Sequence, residues 1–244
     1  MVAEGTDGLP VIMTSINDIR YGFGGTFDTA SNKGLTPATP GDWGGLFVGH
    51  GSEASLDYNR ISYGGGTTRI EGNFASFNAI EVHQSEFRLA NSLVEFNAAG
   101  NEANASDPDR LGRGTNDPSA IFVRGSQPQI LNSRISDNAG AAISIDVNSL
   151  SVQKVDDSGR QTGDFGSTGE YLANQGALVR GNRLSRNGIN GMVVRGQELT
   201  SQSVFDDTDI VHVVTTTITS DNFHTYGGLQ LKSDANQSLV VKFG

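Results

Sequence analysis

A short phrase that returns along the chain, a glycine content about twice the usual ~7% (32 of 244 residues) and the lack of any sustained 3.6-residue period predict an all-β fold. Its form is a single-stranded, right-handed parallel β-helix, a solenoid filling one domain from 1 to 244. The phrase is a small residue, then alternating apolar and variable residues, then a polar turn. It reads Gly45-Leu46-Phe47-Val48, Ala79-Ile80-Glu81-Val82, Ala120-Ile121-Phe122-Val123, Ala142-Ile143-Ser144-Ile145, Gly191-Met192-Val193-Val194 and Gly228-Leu229-Gln230-Leu231. One copy cannot bury its apolar face alone, so the copies are expected to stack.

Ile121 and Ile143 stand 22 positions apart, room for three short strands and three turns. The longer intervals, 34 from Leu46 to Ile80 and 41 from Ile80 to Ile121, imply insertions or further strands. Loop insertions are expected near 100–118 and 151–174, where Asp, Asn, Gly, Ser and Pro accumulate. A second phrase travels with the first: Asn91 to Asn97, Asn132 to Asn138 and Gly181 to Asn187, each closing on Asn. Asn97, Asn138 and Asn187 then form either a side-chain ladder between stacked copies or three unconnected left-handed turns. Matching phrases at matching offsets favour this winding over a β-sandwich, which needs no such coincidence.

The bulk numbers exclude more than they identify. Without cysteine there is no disulfide and no thiolate metal site. A net charge of −10 argues against nucleic acid and anionic membrane as partners, although plain solubility explains it equally well. No apolar run reaches the roughly 18 residues that insert into a bilayer. The opening Met1-Val2-Ala3-Glu4-Gly5 has no signal-peptide character, so any export signal is expected outside this sequence. The ends of the stack are expected to be capped by Met1 to Thr36 and Ser238 to Phe243, or by flanking domains.

With the six copies in register, Phe47, Glu81, Phe122, Ser144, Val193 and Gln230 fall in one outward column of a sheet. Gly49, His83, Arg124, Asp146, Arg195 and Lys232 fall in the next. Arg124 and Asp146 are expected to pair. Phe47, Glu81, His83, Phe122, Arg124, Asp146 and Arg195 are the ligand-binding candidates, since aromatic rings stack on sugars and guanidinium groups clamp carboxylates. The competing reading is a charge ladder that keeps a flat sheet soluble. No catalytic residue is assigned: G-x-S-x-G, H-E-x-x-H and a phosphate loop are all missing from the sequence. Asp206, Asp207 and Asp209 form the densest acidic group and mark where calcium would bind, with Asp107, Asp109 and Asp117 as a second group. Neither follows a known calcium-loop spacing, and solvated acidic turns explain both. His212 in an apolar alternation and His224 beside Phe223 have packing or turn roles.

The stretches Pro40 to Leu46, Ala79-Ile80-Glu81-Val82-His83-Gln84, Ala120-Ile121-Phe122-Val123-Arg124-Gly125 and Val204 to Val213 resemble right-handed β-helix modules of very large secreted or surface-attached bacterial proteins. The resemblance covers almost the whole chain. It implies a pectate-lyase-like superfold, an extracellular or cell-surface location and a place within a larger chain. That superfamily spans pectate lyases, polygalacturonases, epimerases, phage tailspikes and adhesins, so it selects no chemistry. The expectation is a non-catalytic module serving as a rigid stalk or an adhesin that binds a polysaccharide or cell-surface glycan. The alternative is a polysaccharide lyase, hydrolase or epimerase acting on acidic glycans near Glu81, Arg124 and Asp146.

Overall fold

The computed structural model describes residues 1–66, 68–71, 74–76, 78–99, 118–152 and 174–244. It is all-β, and the chain visits three parallel sheets in cyclic order. The first sheet is built from β1 (Val2–Glu4), β4 (Glu53–Asp57), β9 (Glu86–Ala90), β12 (Gln129–Leu131) and β15 (Leu178–Arg180). The second holds β2 (Val11–Met13), β5 (Asn59–Ser62), β10 (Leu93–Glu95), β13 (Arg134–Ser136) and β16 (Arg183–Ser185). The third holds β3 (Leu46–Val48), β8 (Ile80–His83), β11 (Ser119–Arg124), β14 (Ala141–Asp146), β17 (Ile189–Arg195), β19 (Val211–Val214) and β21 (Val240–Phe243). An antiparallel pair, β6 (Thr68–Glu71) with β7 (Phe74–Ser76), and a parallel pair, β18 (Ser203–Phe205) with β20 (Leu229–Leu231), stand apart from these. A four-residue helix, Phe223–Tyr226, lies near the C-terminus.

Alternation puts every second side chain inward, and in-register pairing lines those residues up from strand to strand. The inward column of the first sheet is Ala3, Leu56, Leu89, Ile130 and Val179. That of the second is Met13, Ile61, Val94, Ile135 and Leu184. In the third sheet two columns point in: Leu46, Ile80, Ile121, Ile143, Met192, His212 and Val241, and Val48, Val82, Val123, Ile145, Val194, Val214 and Phe243. All three sheets contribute to one apolar core. Each buried Ile, Leu or Val contributes about 1.5 to 3 kcal/mol.

Three corners turn the chain from sheet to sheet, and each stacks on its equivalents. Tyr58, Asn91 and Asn132 take left-handed backbone at the first corner, at φ 49°, 49° and 50°. The next position there is Gly181, at φ 69°, where a Cβ would stand 2.2 Å from the Asn132 side-chain oxygen. Just beyond, the amides of Asn59, Ser92 and Ser133 donate to the side chains of Ser92, Ser133 and Asn182. At the second corner the Asn ladder forms. Asn97 Nδ2 donates to Asn138 Oδ1, and Asn138 Nδ2 to Asn187 Oδ1, both at 2.8 Å. The left-handed positions are the residues before them, Phe96, Asp137 and Arg186. The asparagines supply the cross-links, not the turn. At the third corner the amides of Ser85 and Ser126 donate to the hydroxyls of Ser126 and Ser149.

One expectation needs correcting. The sixth copy, Gly228 to Leu231, does not continue the third sheet: as β20 it pairs with β18, and all three of its strand residues are exposed. Val211–Val214 and Val240–Phe243 take the next places, so Val213 and Lys242 follow Val193 in the column assigned to Gln230. His212 stands at an inward position and breaks the apolar phrase, which hides that copy from a pattern search. The first residues are strands as well, because β1 and β2 pair with β4 and β5. The expected loop insertions fall almost wholly on 100–117 and 153–173, outside the described residues, as do Asp107, Asp109 and Asp117.

Candidate functional site

The outer face of the third sheet gathers the seven ligand-binding candidates. Residues two apart on a strand share a face, so Glu81 and His83 of β8 both point outward. Register sets Phe47 and Phe122 beside Glu81, and Arg124 beside His83. The His83 ring lies 5.2 Å from that of Phe47 and 5.5 Å from that of Phe122. His83 Nε2 is 3.1 Å from Glu81 Oε2. Two strands along, Ser144 is small enough to let Arg195 reach back over it. The guanidinium sits 4.0 Å above the Phe122 ring, and donates to Ser144 Oγ at 2.8 Å and to the Val123 carbonyl at 2.5 Å. Arg195 is therefore held by a cation–π contact and two hydrogen bonds.

This face was expected to be open to solvent, yet Glu81, Phe122 and Ser144 are 0% exposed. Alternation distinguishes inward from outward; it does not say whether an outward residue is wet. The expected ion pair between Arg124 and Asp146 is also not among those formed by the described residues. Asp146 instead begins a 3-10 turn, Val147–Leu150. Its Oδ1 accepts from the Gly125 amide at 2.8 Å and Ser149 Oγ at 2.6 Å, and its Oδ2 from the Ser149 amide at 3.1 Å and Gln197 Nε2 at 3.3 Å. That is a capping carboxylate with all its acceptor capacity in use.

At the edge of this cluster opens a cleft of about 510 Å³, lined by Gln84, Arg124, Gly125, Asp146, Asn148, Arg195, Gly196, Gln197, Glu198 and Thr200. Arg124, Asp146 and Arg195 were singled out from the sequence. Gln84, Asn148, Gln197 and Glu198 were not, because they sit on corners and turns just past the strands that carry the repeat. Asn148 fixes one lip, donating to the Glu198 carbonyl and accepting from the Thr200 amide, both at 2.9 Å. Side-chain amides and a guanidinium beside carboxylates suit hydroxyl-rich or carboxylated ligands.

The acidic group is arranged around donors. Asn174 Nδ2 reaches Asp206 Oδ1 at 3.2 Å and Asp207 Oδ1 at 2.8 Å, and the amides of Gln175, Val179 and Gly181 donate to Asp206, Asp207 and Asp209. Arg180 lies 4.0 Å from Asp207, 3.6 Å from Asp209 and 3.5 Å from Asp234. Burial pushes the Asp207 carboxyl up to about 8, outweighing both the Val179 amide and Arg180. Burial also raises Asp206, and a hydrogen bond from Thr208 leads in holding Asp234 near 2. Among the described residues no group of three or more His, Asp or Glu side chains is placed to hold a metal ion.

A buried pair on the outer face of the first sheet was not foreseen. Arg88, 1% exposed, donates to Asp57 Oδ2 at 2.9 Å and to Ser55 Oγ at 3.3 Å. Only the first phrase had been placed in columns, so these outward positions carried no signal. His212 is buried and stacks on Phe205 at 4.8 Å, and His224 meets Phe223 edge-on at 5.8 Å, in keeping with packing and turn roles.

Comparison with protein-family models, with curated proteins and with solved structures found no match to this chain.

Proposed function

We propose that this chain is a single-stranded, right-handed parallel β-helix module of an exported or cell-surface bacterial protein. It serves as a rigid, non-catalytic support that binds carbohydrate in the cleft beside Arg124. The cyclic visiting of three parallel sheets, with seven strands stacked in the third, supports the winding. One observation carries the binding reading over the catalytic one. The two outward carboxylates of the repeat are committed elsewhere, Glu81 being fully buried and Asp146 already accepting four hydrogen bonds, which leaves Glu198 as the one exposed carboxylate among the residues that line the cleft. A glycosidase needs two accessible carboxyls flanking the bond it cuts, on the order of 5 to 9.5 Å apart. The cleft lining also includes Arg124, Gln84 and Gln197, side chains of the types that bind hydroxyls and carboxylates.

The test is an array of acidic and neutral oligosaccharides, with and without calcium, followed by incubation of the purified chain with every ligand retained. Retention without new reducing ends or unsaturated products is expected, with Gln197→Ala weakening it several-fold. Release of either product turns the reading into the alternative, a hydrolase or lyase of acidic glycans, and an inverted sugar carbon in the recovered ligand, read by NMR, turns it into an epimerase.

A further inference from the structure

The second sheet carries a basic column of its own. Register aligns Ile12, Arg60, Leu93, Arg134 and Arg183 on its outer face. Strand spacing is about 4.8 Å, so Arg134 and Arg183 are one step apart and Arg60 two steps from Arg134. Like charges directly opposite each other in a sheet are destabilising. Both arginines are nevertheless exposed, and neither guanidinium has a hydrogen-bond or ion-pair partner among the described residues. The nearby carboxylates are engaged: Asp137 is held by Arg186 at 2.5 and 2.7 Å, and Glu95 lies 3.6 Å from Arg20. In a chain of net charge −10 with 17 basic residues, these two exposed arginines, in line with a half-buried Arg60 that donates to the Tyr21 hydroxyl, form a stripe of locally reversed sign.

Beside the stripe runs a groove of about 420 Å³, whose lining includes Arg60, Arg134, Tyr58, Asn91, Asn132 and Asp7. Asn132 is exposed, and its side-chain amide makes no hydrogen bond to another described residue. An amide of this kind reads hydroxyl groups, while the guanidinium groups offer forked contacts to carboxylate or sulfate.

We propose that this stripe and groove bind an extended acidic polysaccharide, at a site separate from the third-sheet cleft. The anionic groups of an extended pyranose chain recur over distances comparable to one or two strand steps, so successive acidic sugars meet successive arginines. A nucleic acid would find three arginines and, beyond them, a strongly acidic surface.

Calorimetric titration at low salt tests this with oligogalacturonate and heparin-derived oligosaccharides, a neutral dextran oligomer and a single-stranded DNA oligomer. The acidic sugars bind and the dextran does not; the preferred acidic sugar identifies carboxylate or sulfate as the recognised group. Arg134→Gln/Arg183→Gln weakens binding at least about tenfold and flattens its salt dependence, with the unfolding temperature not lowered, because both side chains are exposed and their mutual repulsion is removed. Asp7→Asn, at the acidic lip, tightens it about twofold. Gln197→Ala, in the other cleft, leaves this binding as it was. Unchanged affinity in the arginine double variant, its loss in Gln197→Ala, no binding to either acidic sugar, or stronger binding to DNA would each overturn the proposal.

Discussion

Ile143 and Phe243 occupy equivalent places, inward positions of the same sheet, and have opposite fates. Ile143 lies between β11 and β17 and is 0% exposed; Phe243 lies on β21, with no strand of the described residues paired on its far side, and is 78% exposed. The column that ends at Phe243 begins with Val48 and passes through Val82 and Val123, both fully buried. At this end an inward position becomes a core position only where a further strand covers it, whereas Val48, on the opposite edge strand, is 6% exposed and belongs to the core. Middle and end share the alternating sequence pattern and differ in the number of partners.

Paired truncations break this comparison most directly. Ile143→Ala is expected to cost about 4 kcal/mol, and Phe243→Ala under about 1 kcal/mol although it removes the larger side chain. Denaturant unfolding reads both, and similar losses would mean that the end of the stack is covered as well as the middle. Next in size is the ladder. Asn138 bonds Asn97 on one side and Asn187 on the other, besides the Val94 and Ser136 carbonyls, whereas Asn187 is capped at its outer end by Asn190 of its own turn. Asn138→Ala should cost about 2 kcal/mol by leaving buried donors and acceptors unmatched, and Asn187→Ala measurably less.

The smallest net effect comes from two buried groups that titrate in opposite senses. Burial pushes His212 down to about 4, so below pH 6.5 the unfolded chain takes a proton that the folded chain refuses, and stability falls toward pH 4. Burial pushes Asp207 up to about 8, so below that pH the folded chain holds a proton that the unfolded chain releases, and stability rises as pH falls toward 4. Each contributes at most about 1.4 kcal/mol per pH unit, and between 6.5 and 4 they offset. His212→Leu is expected to become more stable on going from pH 6.5 to 4.5, and Asp207→Asn less stable, with the parent chain nearly flat. Unfolding midpoints that run parallel in all three proteins would show that neither group titrates as its burial demands.

Strand phase and register were legible because both follow from alternation and from the small-residue and asparagine positions that mark equivalent places in copies of unequal spacing. Leu46, Ile80, Ile121, Ile143 and Met192 pair as their phrases require. The seven site candidates fall on one face for the same reason. Their burial was not legible, since it rests on side chains that lean across the columns, as Arg195 does over Phe122 and His83 does beside Glu81. Nor was the capping role of Asp146, which shares its column with Arg124 but is drawn to the turn that follows it. The copy at Val211–Val214 escaped notice because His212 occupies an apolar slot, and Gly228 to Leu231 misled because a turn glycine before a strand fits any sheet.

The stacked corners make length an adjustable property of this architecture. A pass around the three sheets ends on the corner where it started, 22 residues after Ile121 in the shortest case, and hands on the same serine or asparagine acceptor that it received. Duplication or excision of such a unit re-forms the same junction with the next one. Tandem copying in the gene can therefore lengthen or shorten the three sheets by one strand each at a time without redesigning what lies on either side.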